Sequence, residues 1–368
     1  MPSWSLLERS AQEDDGRRTT VDREGKQAVR RSHSAIVLVL AALIALGFGL
    51  AVADLQGRAP DEGDAGVPDK LQESTDVDEV GEQEFEFGLI GDIPYNLEEQ
   101  RKTEVLFRQM NGQKLAFVVH VGDIKSGDSP CTDEIFFREK ERFENSANPL
   151  VYVPGDNEWT DCDHTGYDPV ERLERLREIF FVGEESLGKK TVSLTRQGAA
   201  YPENVRWTYG DVTFLGLNVP GSNNNRGHAS GEYVARNEAN LEWIREGFNH
   251  AEANGSSALM LFIQANPGFE LPPEVHTGYK DFLAALEEEV GAFGKPVVLA
   301  HGDTHTFRVD KPMTSSTTGV RVENFTRVET FGSPDVNWVR ATVNTSEPEE
   351  IFTFQPEIVE ENTADGRP

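Results

Sequence analysis

Short apolar segments alternate with segments of helical spacing from residue 84 onward. This alternation, followed by a β-rich stretch, predicts a mixed α/β layered fold. The pair Gly210-Asp211 separates two strand-like segments and predicts an antiparallel hairpin. Strands are predicted over 85–90, 115–121, 150–153, 206–209, 212–217, 258–263, 296–300, 306–309, 326–331, 338–343 and 351–354, and helices over about 97–111, 132–145, 169–181, 235–252 and 278–290.

The acidic composition limits the partners of the chain. The 368 residues include 64 acidic and 35 basic side chains, which gives a formal charge of −29. Such a surface repels phosphate backbones and argues against broad nucleic-acid binding. The acidity can equally reflect solubility or adaptation to salt, without any link to function. An anionic substrate would need local neutralisation, for which we expect metal ions.

An apolar run at 35–53 predicts a membrane segment, because it contains no charged side chain and can just cross a bilayer core of about 30 Å. The basic residues that precede it are Arg17, Arg18, Arg23, Lys26, Arg30 and Arg31. The positive-inside rule then makes 1–34 a cytoplasmic tail and exports the rest. The segment is expected to be a single-pass anchor. Cleavage after Ala53, which would release a secreted protein, and a buried soluble helix are the alternatives.

Two polar segments flank the predicted domain at 84–356. Residues 54–83 are rich in Asp, Glu, Gly and Pro and predict an acidic disordered linker, and 357–368 predict a flexible tail. The domain is long enough to bury its own core. Its two cysteines, Cys131 and Cys162, predict a disulfide in an exported protein, although two unpaired buried thiols also fit.

Four of the predicted strands end in glycine followed by an acidic residue. These ends are Gly91-Asp92, Gly122-Asp123, Gly155-Asp156-Asn157-Glu158 and Gly302-Asp303-Thr304-His305. One such Asp alone is often a helix N-cap. Loops at the carboxyl ends of such strands lie along one edge of the sheet. Four Asp side chains there would repel each other unless cations neutralise their charges. Carboxylates with a single imidazole favour Mg²⁺, Mn²⁺ or Ca²⁺, and two divalent ions would balance four charges.

This motif order resembles that of the calcineurin-like metallophosphoesterase family, which has D-x-H, G-D, G-N-H-[D/E], an isolated His and G-H-x-H. The resemblance extends over about residues 84–345. It implies a four-layer αββα sandwich of two mixed sheets flanked by helices. It also implies a site with two divalent ions (Mn, Mg, Fe, Zn or Ca) that hydrolyses phosphate esters.

Several positions depart from the family pattern. Pro94 stands in place of a ligand histidine, with Tyr95 next to it, and Asn157 stands in place of the histidine near the leaving group. Gln264 or Asn266 corresponds to the isolated histidine. Carried over to this chain, the resemblance implies Asp92, Asp123 and His305 as ligands of one ion, and Asp123, Asp156, Asp303 and Gln264 as ligands of the other.

The catalytic residues expected from this comparison are Asp123 and Asn157. An amide cannot supply a proton at neutral pH, so His120 and His301 are candidate acids, with structural imidazoles as the alternative. The loop at 221–226, with His228, is expected to be a mobile surface loop, and contact with phosphate through Arg226 is the alternative. We therefore expect a metal-dependent hydrolase of phosphate mono- or diesters that acts outside the cytoplasm on a phosphorylated small molecule or macromolecule. The alternative is a weak or inactive relative that binds a metal or a phosphorylated ligand.

Overall fold

The computed structural model describes residues 83–363, apart from 228, 273 and 276. The predicted cytoplasmic tail, the membrane segment at 35–53, nearly all of the linker and residues 364–368 lie outside this part. Within it, no helix combines the length and the apolar character needed to cross a membrane.

Twelve strands and six helices form the described domain. The strands are β1 Glu84–Ile90, β2 Val118–His120, β3 Leu150–Tyr152, β4 Thr195–Gln197, β5 Tyr201–Tyr209, β6 Val212–Gly216, β7 Ala258–Phe262, β8 Val297–His301, β9 Arg308–Asp310, β10 Phe325–Glu329, β11 Trp338–Asn344 and β12 Phe352–Glu357. The helices are α1 Leu97–Asn111, α2 Asp133–Glu144, α3 Pro169–Phe180, α4 Ser230–Ala253, α5 Lys280–Phe293 and α6 Glu360–Thr363, and a 3₁₀ helix covers Thr160–Thr165.

Side-chain caps explain where the first three helices begin. Asn96 accepts hydrogen bonds from two backbone amides of α1, and Thr132 and Asp168 each accept one from the first turn of α2 and α3. Such caps satisfy amides that have no partner within the helix. Pro169 at the first position of α3 adds a preset backbone angle without losing an internal bond.

The strands form two mixed sheets. The first has the order β12-β11-β1-β2-β3, with β1, β2 and β3 parallel and β11 and β12 antiparallel. The second has the order β4-β5-β6-β7-β8-β10-β9, with β6, β7, β8 and β10 parallel. The predicted hairpin is confirmed, because Tyr209 pairs with Val212 across Gly210-Asp211.

Three apolar layers place the sheets face to face between helices. Aromatic rings fill the layer between the sheets, where Phe87 stacks on Phe117 at 4.7 Å and Trp207 stacks on Phe262 at 5.6 Å. A second layer packs α1, α2 and α3 on the first sheet, and a third packs α4 and α5 on the second. The predicted αββα sandwich is therefore confirmed.

The structure corrects several boundaries. Strand β5 begins at Tyr201, five residues before the predicted start at 206. Helix α4 begins at Ser230, five residues before the predicted start at 235. The packed domain also continues past 356, where a flexible tail was expected. Val359 is buried, and the Asn362 amide donates to Val336 O at 2.9 Å and to Lys102 O at 3.1 Å.

Candidate functional site

The predicted acidic strand ends meet at one edge of the sandwich. The loop after β8 approaches the loop after β1, because Asp303 N donates to Asp92 Oδ1 at 2.9 Å and His305 Nε2 lies 3.5 Å from the same oxygen. The loops after β2 and β3 meet where Asn157 N donates to Asp123 Oδ1 at 3.1 Å. Both sheets therefore contribute to the site.

Backbone strain is concentrated at these residues. Asp92, Asp123, Asp303 and His305 have φ values of 55°, 60°, 78° and 59°. The left-handed region is uncommon for residues other than glycine, although Asp and His enter it more readily than most. Strained residues of this kind cluster at functional sites, where the surrounding fold holds them.

Tyr95 lies at the centre of the site. Its hydroxyl donates to Asp123 Oδ2 at 2.9 Å, accepts from Asn157 Nδ2 at 3.0 Å and lies 3.2 Å from His305 Nε2. The phenol therefore joins the loops that follow β1, β2, β3 and β8. The sequence analysis noted Tyr95 beside Pro94, but nothing in the sequence indicated that its hydroxyl contacts three other loops.

Asp123 is clamped by the loop after β3. Asn157 Nδ2 donates to Asp123 Oδ2 at 2.8 Å. Glu158 Oε1 accepts from Asp123 N at 3.1 Å, from Gly155 N at 2.8 Å and from Tyr152 OH at 2.5 Å. Because one carboxylate oxygen binds both loop backbones, Glu158 fixes the position of Asp123. This role of Glu158 was not predicted.

Gln264, a candidate for the position of the isolated histidine, uses its side-chain oxygen in a backbone contact. Its Oε1 accepts from Gly221 N at 2.6 Å, so this oxygen already has a backbone partner. Its Nε2 is buried without a hydrogen-bond partner among the described atoms. The other candidate, Asn266, contributes its backbone amide to Asp303 Oδ2 at 2.8 Å.

Burial and mutual repulsion raise the pKa values of the acidic cluster. Burial is the main cause for Asp123, followed by the charges of Asp156, Glu158 and Asp92. Burial and then the charge of Asp303 raise the pKa of Asp156. Burial raises the pKa of Asp303 to about 6, against the hydrogen bond from Asn266 N. The fold therefore holds these carboxylates closer together than their charges favour.

Two basic groups accompany the carboxylates. Burial alone would lower the pKa of His305, but the hydrogen bond and charge of Asp92 outweigh it and raise that pKa to about 9. Lys125 is buried beside the cluster and donates to Ser126 O at 2.9 Å. Burial lowers the pKa of Lys125, and the nearby charges of Glu158 and Asp123 oppose that shift. Lys125 was not among the predicted site residues.

The two candidate acids, His120 and His301, are buried in contacts with the backbone. His120 Nδ1 accepts from Gly122 N at 3.3 Å and Nε2 donates to Ile93 O at 3.2 Å. His301 Nδ1 donates to Gly302 O at 2.8 Å. Burial lowers the pKa of each imidazole to about 3, so both are neutral at pH 7. Neither can donate a proton to a leaving group there, which favours the structural alternative.

The loop at 221–226 is part of the site, where a mobile surface loop was expected. Asn224 and Asn225 are fully buried, and Ser222 Oγ lies 3.1 Å from Asp156 Oδ2 and 2.6 Å from Asp161 Oδ1. Runs of Ser and Asn are common in exposed loops, which explains why the sequence pattern was misleading.

The predicted disulfide between Cys131 and Cys162 is confirmed. It joins the segment after β2 to the 3₁₀ helix after β3. The two sulfur atoms lie 3.7 Å and 3.8 Å from Asn157 O. The bond therefore braces the loop that carries Asn157.

The acidic site suits a hard divalent cation better than a soft one. Carboxylate oxygens dominate the available donors. Asp92 Oδ2 is buried without a hydrogen-bond partner in the described part of the chain, and a buried orphan carboxylate oxygen fits a cation. However, among residues 83–363 as described, no three His, Cys, Asp or Glu side chains already form a compact ligand group. The predicted ligand sets stay predictions.

The order of the site loops along the two sheets decides the fold type. Acidic residues follow β1, β2, β3 and β8 in the order of the resemblance made from the sequence, and they meet at one edge of an αββα sandwich. The chain has a metallophosphoesterase-like fold. No family model and no curated protein sequence matches the chain.

Solved structures of phosphatases are among the distant structural neighbours of this chain. PhoD is 13% identical with a TM-score of 0.45, covering 74% of this chain and 68% of its own. A dimetal phosphatase from Danio rerio is 14% identical with a TM-score of 0.44, covering 75% and 96%. A purple acid phosphatase from yellow lupin (Lupinus luteus) is 11% identical with a TM-score of 0.41, covering 76% and 55%. At this distance the function rests on the chain's own residues.

Proposed function

We propose that the domain hydrolyses phosphate mono- or diesters with the help of divalent cations held at the acidic edge. The supporting observation is an imbalance of charge. Asp92, Asp123, Asp156 and Glu158 are buried and Asp303 is half-buried, whereas Lys125 and His305 are the basic groups that the fold places beside them. Burying unpaired carboxylates is unfavourable, and a bound cation would relieve it.

The residues that would hold the cations are Asp92, Asp123, Asp156, Asp303 and His305. Divalent ions at such a site supply Lewis acidity toward phosphate oxygens and lower the pKa of water. Asn157 and Tyr95 orient Asp123 through their hydrogen bonds. The Asn157 amide can donate a hydrogen bond to a substrate oxygen but has no proton to transfer at neutral pH. Good leaving groups such as aryl oxides should therefore be favoured over alkoxides.

The experiment measures hydrolysis of aryl phosphate monoesters and diesters by the purified protein with Mn²⁺ or Mg²⁺. We expect metal-dependent turnover that is lost in Asp123→Asn. Asp211→Asn is the matched control, because Asp211 is an exposed residue of the β5–β6 turn. Turnover that persists in Asp123→Asn, or in excess chelator, would contradict the proposal.

A second candidate function is a metal-binding module without turnover. The supporting observation is that Pro94 and Asn157 stand where the family has histidines and that His120 and His301 are buried as neutral groups. Cation binding seen as a rise in melting temperature, with no hydrolysis of any ester in the panel, would favour this function.

We also propose that the domain acts outside the cytoplasm, tethered by the segment at 35–53. The basic residues before that segment support this orientation, and the Cys131–Cys162 disulfide is typical of oxidising compartments. Protease treatment of intact cells, followed by detection of the domain, tests the location. Recovery of a mature chain that begins at Asp54 would instead show cleavage.

A further inference from the structure

Four consecutive residues, 222–225, form a left-handed turn after β6. Ser222, Asn223, Asn224 and Asn225 have φ values of 49°, 54°, 57° and 57°. Residues other than glycine visit this region as single residues, and Asn does so more readily than Ser. A run of four must be held by the surrounding fold, and such strained segments cluster at functional sites.

Arg236 of helix α4 is the main residue that holds the left-handed turn. Its side chain is 1% exposed. The guanidinium donates to Asn224 Oδ1 at 2.6 Å, to Asn224 O at 3.0 Å and to Asn218 O at 3.0 Å. It also lies 5.1 Å from the ring centre of Trp159 in the loop after β3. One buried cation therefore ties the turn to that site loop.

The turn also depends on close contact with Gly278. Asn223 Oδ1 accepts from Gly278 N at 2.8 Å, and Asn224 Nδ2 donates to Gly278 O at 2.9 Å. A Cβ at position 278 would lie 2.0 Å from Asn223 O, so a side chain there would displace the turn. The Asn side chains are thus used to fix the backbone.

The turn delivers the Ser222 hydroxyl to the acidic site. Ser222 Oγ lies 3.1 Å from Asp156 Oδ2 and 2.6 Å from Asp161 Oδ1. Glycine is the residue that best tolerates φ of 49°, so the backbone alone gives no reason for serine. The hydroxyl can donate its single proton to either carboxylate oxygen, and this contact does give one.

We propose that Ser222 is a positioning residue that orients Asp156 for cation binding, and that Arg236 acts through it by holding the left-handed turn. The inference rests on the proposed function, in which Asp156 is a ligand. Hydrogen-bond partners of a ligand fix its orientation, and their loss typically weakens metal affinity about 10–100-fold.

The test is calorimetric titration of Mn²⁺ into the full-length protein, wild type and the variants Ser222→Ala and Ser222→Gly. Both variants lack the hydroxyl, and only glycine relieves the backbone strain. We expect both to bind Mn²⁺ about 10–100-fold more weakly than wild type. Without metal, Ser222→Gly should melt about 2–4 °C above Ser222→Ala, since glycine accepts the left-handed turn. Ser193→Ala, which removes an exposed hydroxyl–carboxylate bond to Glu185, is the control and should bind normally.

Arg236→Lys tests the second half of the inference. Lysine keeps the positive charge and loses the planar fork that reaches Asn218 and Asn224 together. Mn²⁺ affinity should fall at least about 10-fold, and adding Ser222→Ala to Arg236→Lys should cause little further loss. Fully additive losses would show that Arg236 does not act through Ser222.

The outcomes separate this inference from the proposed function. Wild-type affinity in Ser222→Gly, with weakening confined to Ser222→Ala, would mean that only the backbone conformation matters and would overturn the role of the hydroxyl. Tight Mn²⁺ binding in both variants would overturn it too, leaving the proposed function intact. A wild-type protein that binds no Mn²⁺ would refute both.

Discussion

Removing the disulfide should destabilise the domain by an amount that its position in the chain predicts. Cys131 and Cys162 are separated by 31 residues, both are fully buried, and the domain contains no other cysteine. In the chain-entropy account, a cross-link that closes a loop of this length stabilises the folded state by about 3.7 kcal/mol at 25 °C. The double variant Cys131→Ala/Cys162→Ala should lose about that much free energy of unfolding.

The assay is equilibrium unfolding in guanidinium chloride, monitored by tryptophan fluorescence. The double variant should show a lower midpoint, and wild-type protein that is reduced while unfolded should refold to the same lower stability. The control is Ser193→Ala, a substitution by alanine at an exposed position. It should leave the unfolding midpoint unchanged. A loss below about 1 kcal/mol in the double variant would refute the reasoning, since it would mean that the cross-link scarcely constrains the unfolded chain.

Three further changes test other parts of the structure. Tyr95→Phe removes the hydroxyl that contacts Asp123, Asn157 and His305. It should lower the free energy of unfolding in urea by about 1–3 kcal/mol, because these polar groups lose a hydrogen-bond partner. An unchanged free energy of unfolding would contradict the central position of the phenol. Gly302→Ala places a Cβ 2.0 Å from Asp92 Oδ2 and should abolish Mn²⁺ binding, whereas Gly291→Ala in α5, where a Cβ meets open space, should bind normally. Phe87→Ala should cost about 3–5 kcal/mol in thermal or urea unfolding, since Phe87 is fully buried between the sheets; a loss under 1 kcal/mol would place the core elsewhere.

Local patterns predicted a mixed α/β layered fold and the loops of the site, whereas the four-layer arrangement was implied by the resemblance to a known family. Apolar strands that end in Gly-Asp mark the carboxyl edge of a sheet, and the structure places all four acidic ends there. Helix boundaries at Asn96, Thr132 and Asp168 agree with the predictions within a residue or two because capping is a local effect.

The roles of several site residues could not be predicted, because they depend on contacts between distant loops. Tyr95 reaches His305 across 210 positions of sequence, and Arg236 organises a turn that resembles an ordinary polar loop in the sequence. The oxygen of Gln264 accepts a hydrogen bond from Gly221 N, a contact that the sequence does not indicate. His120 and His301 have the right chemistry for an acid, but burial keeps them neutral.

The contact between the first and last site loops has a consequence for folding. Asp303 N reaches Asp92 Oδ1 across 211 positions of sequence, so the site cannot assemble until both sheets exist and have docked. Closing a loop of this length costs conformational entropy before the contacts that stabilise it have formed, and this cost slows folding. A chain that emerges gradually during synthesis would therefore complete the proposed cation site only at the end. We therefore expect cations to bind late in refolding, after the two sheets have docked, and not to initiate folding.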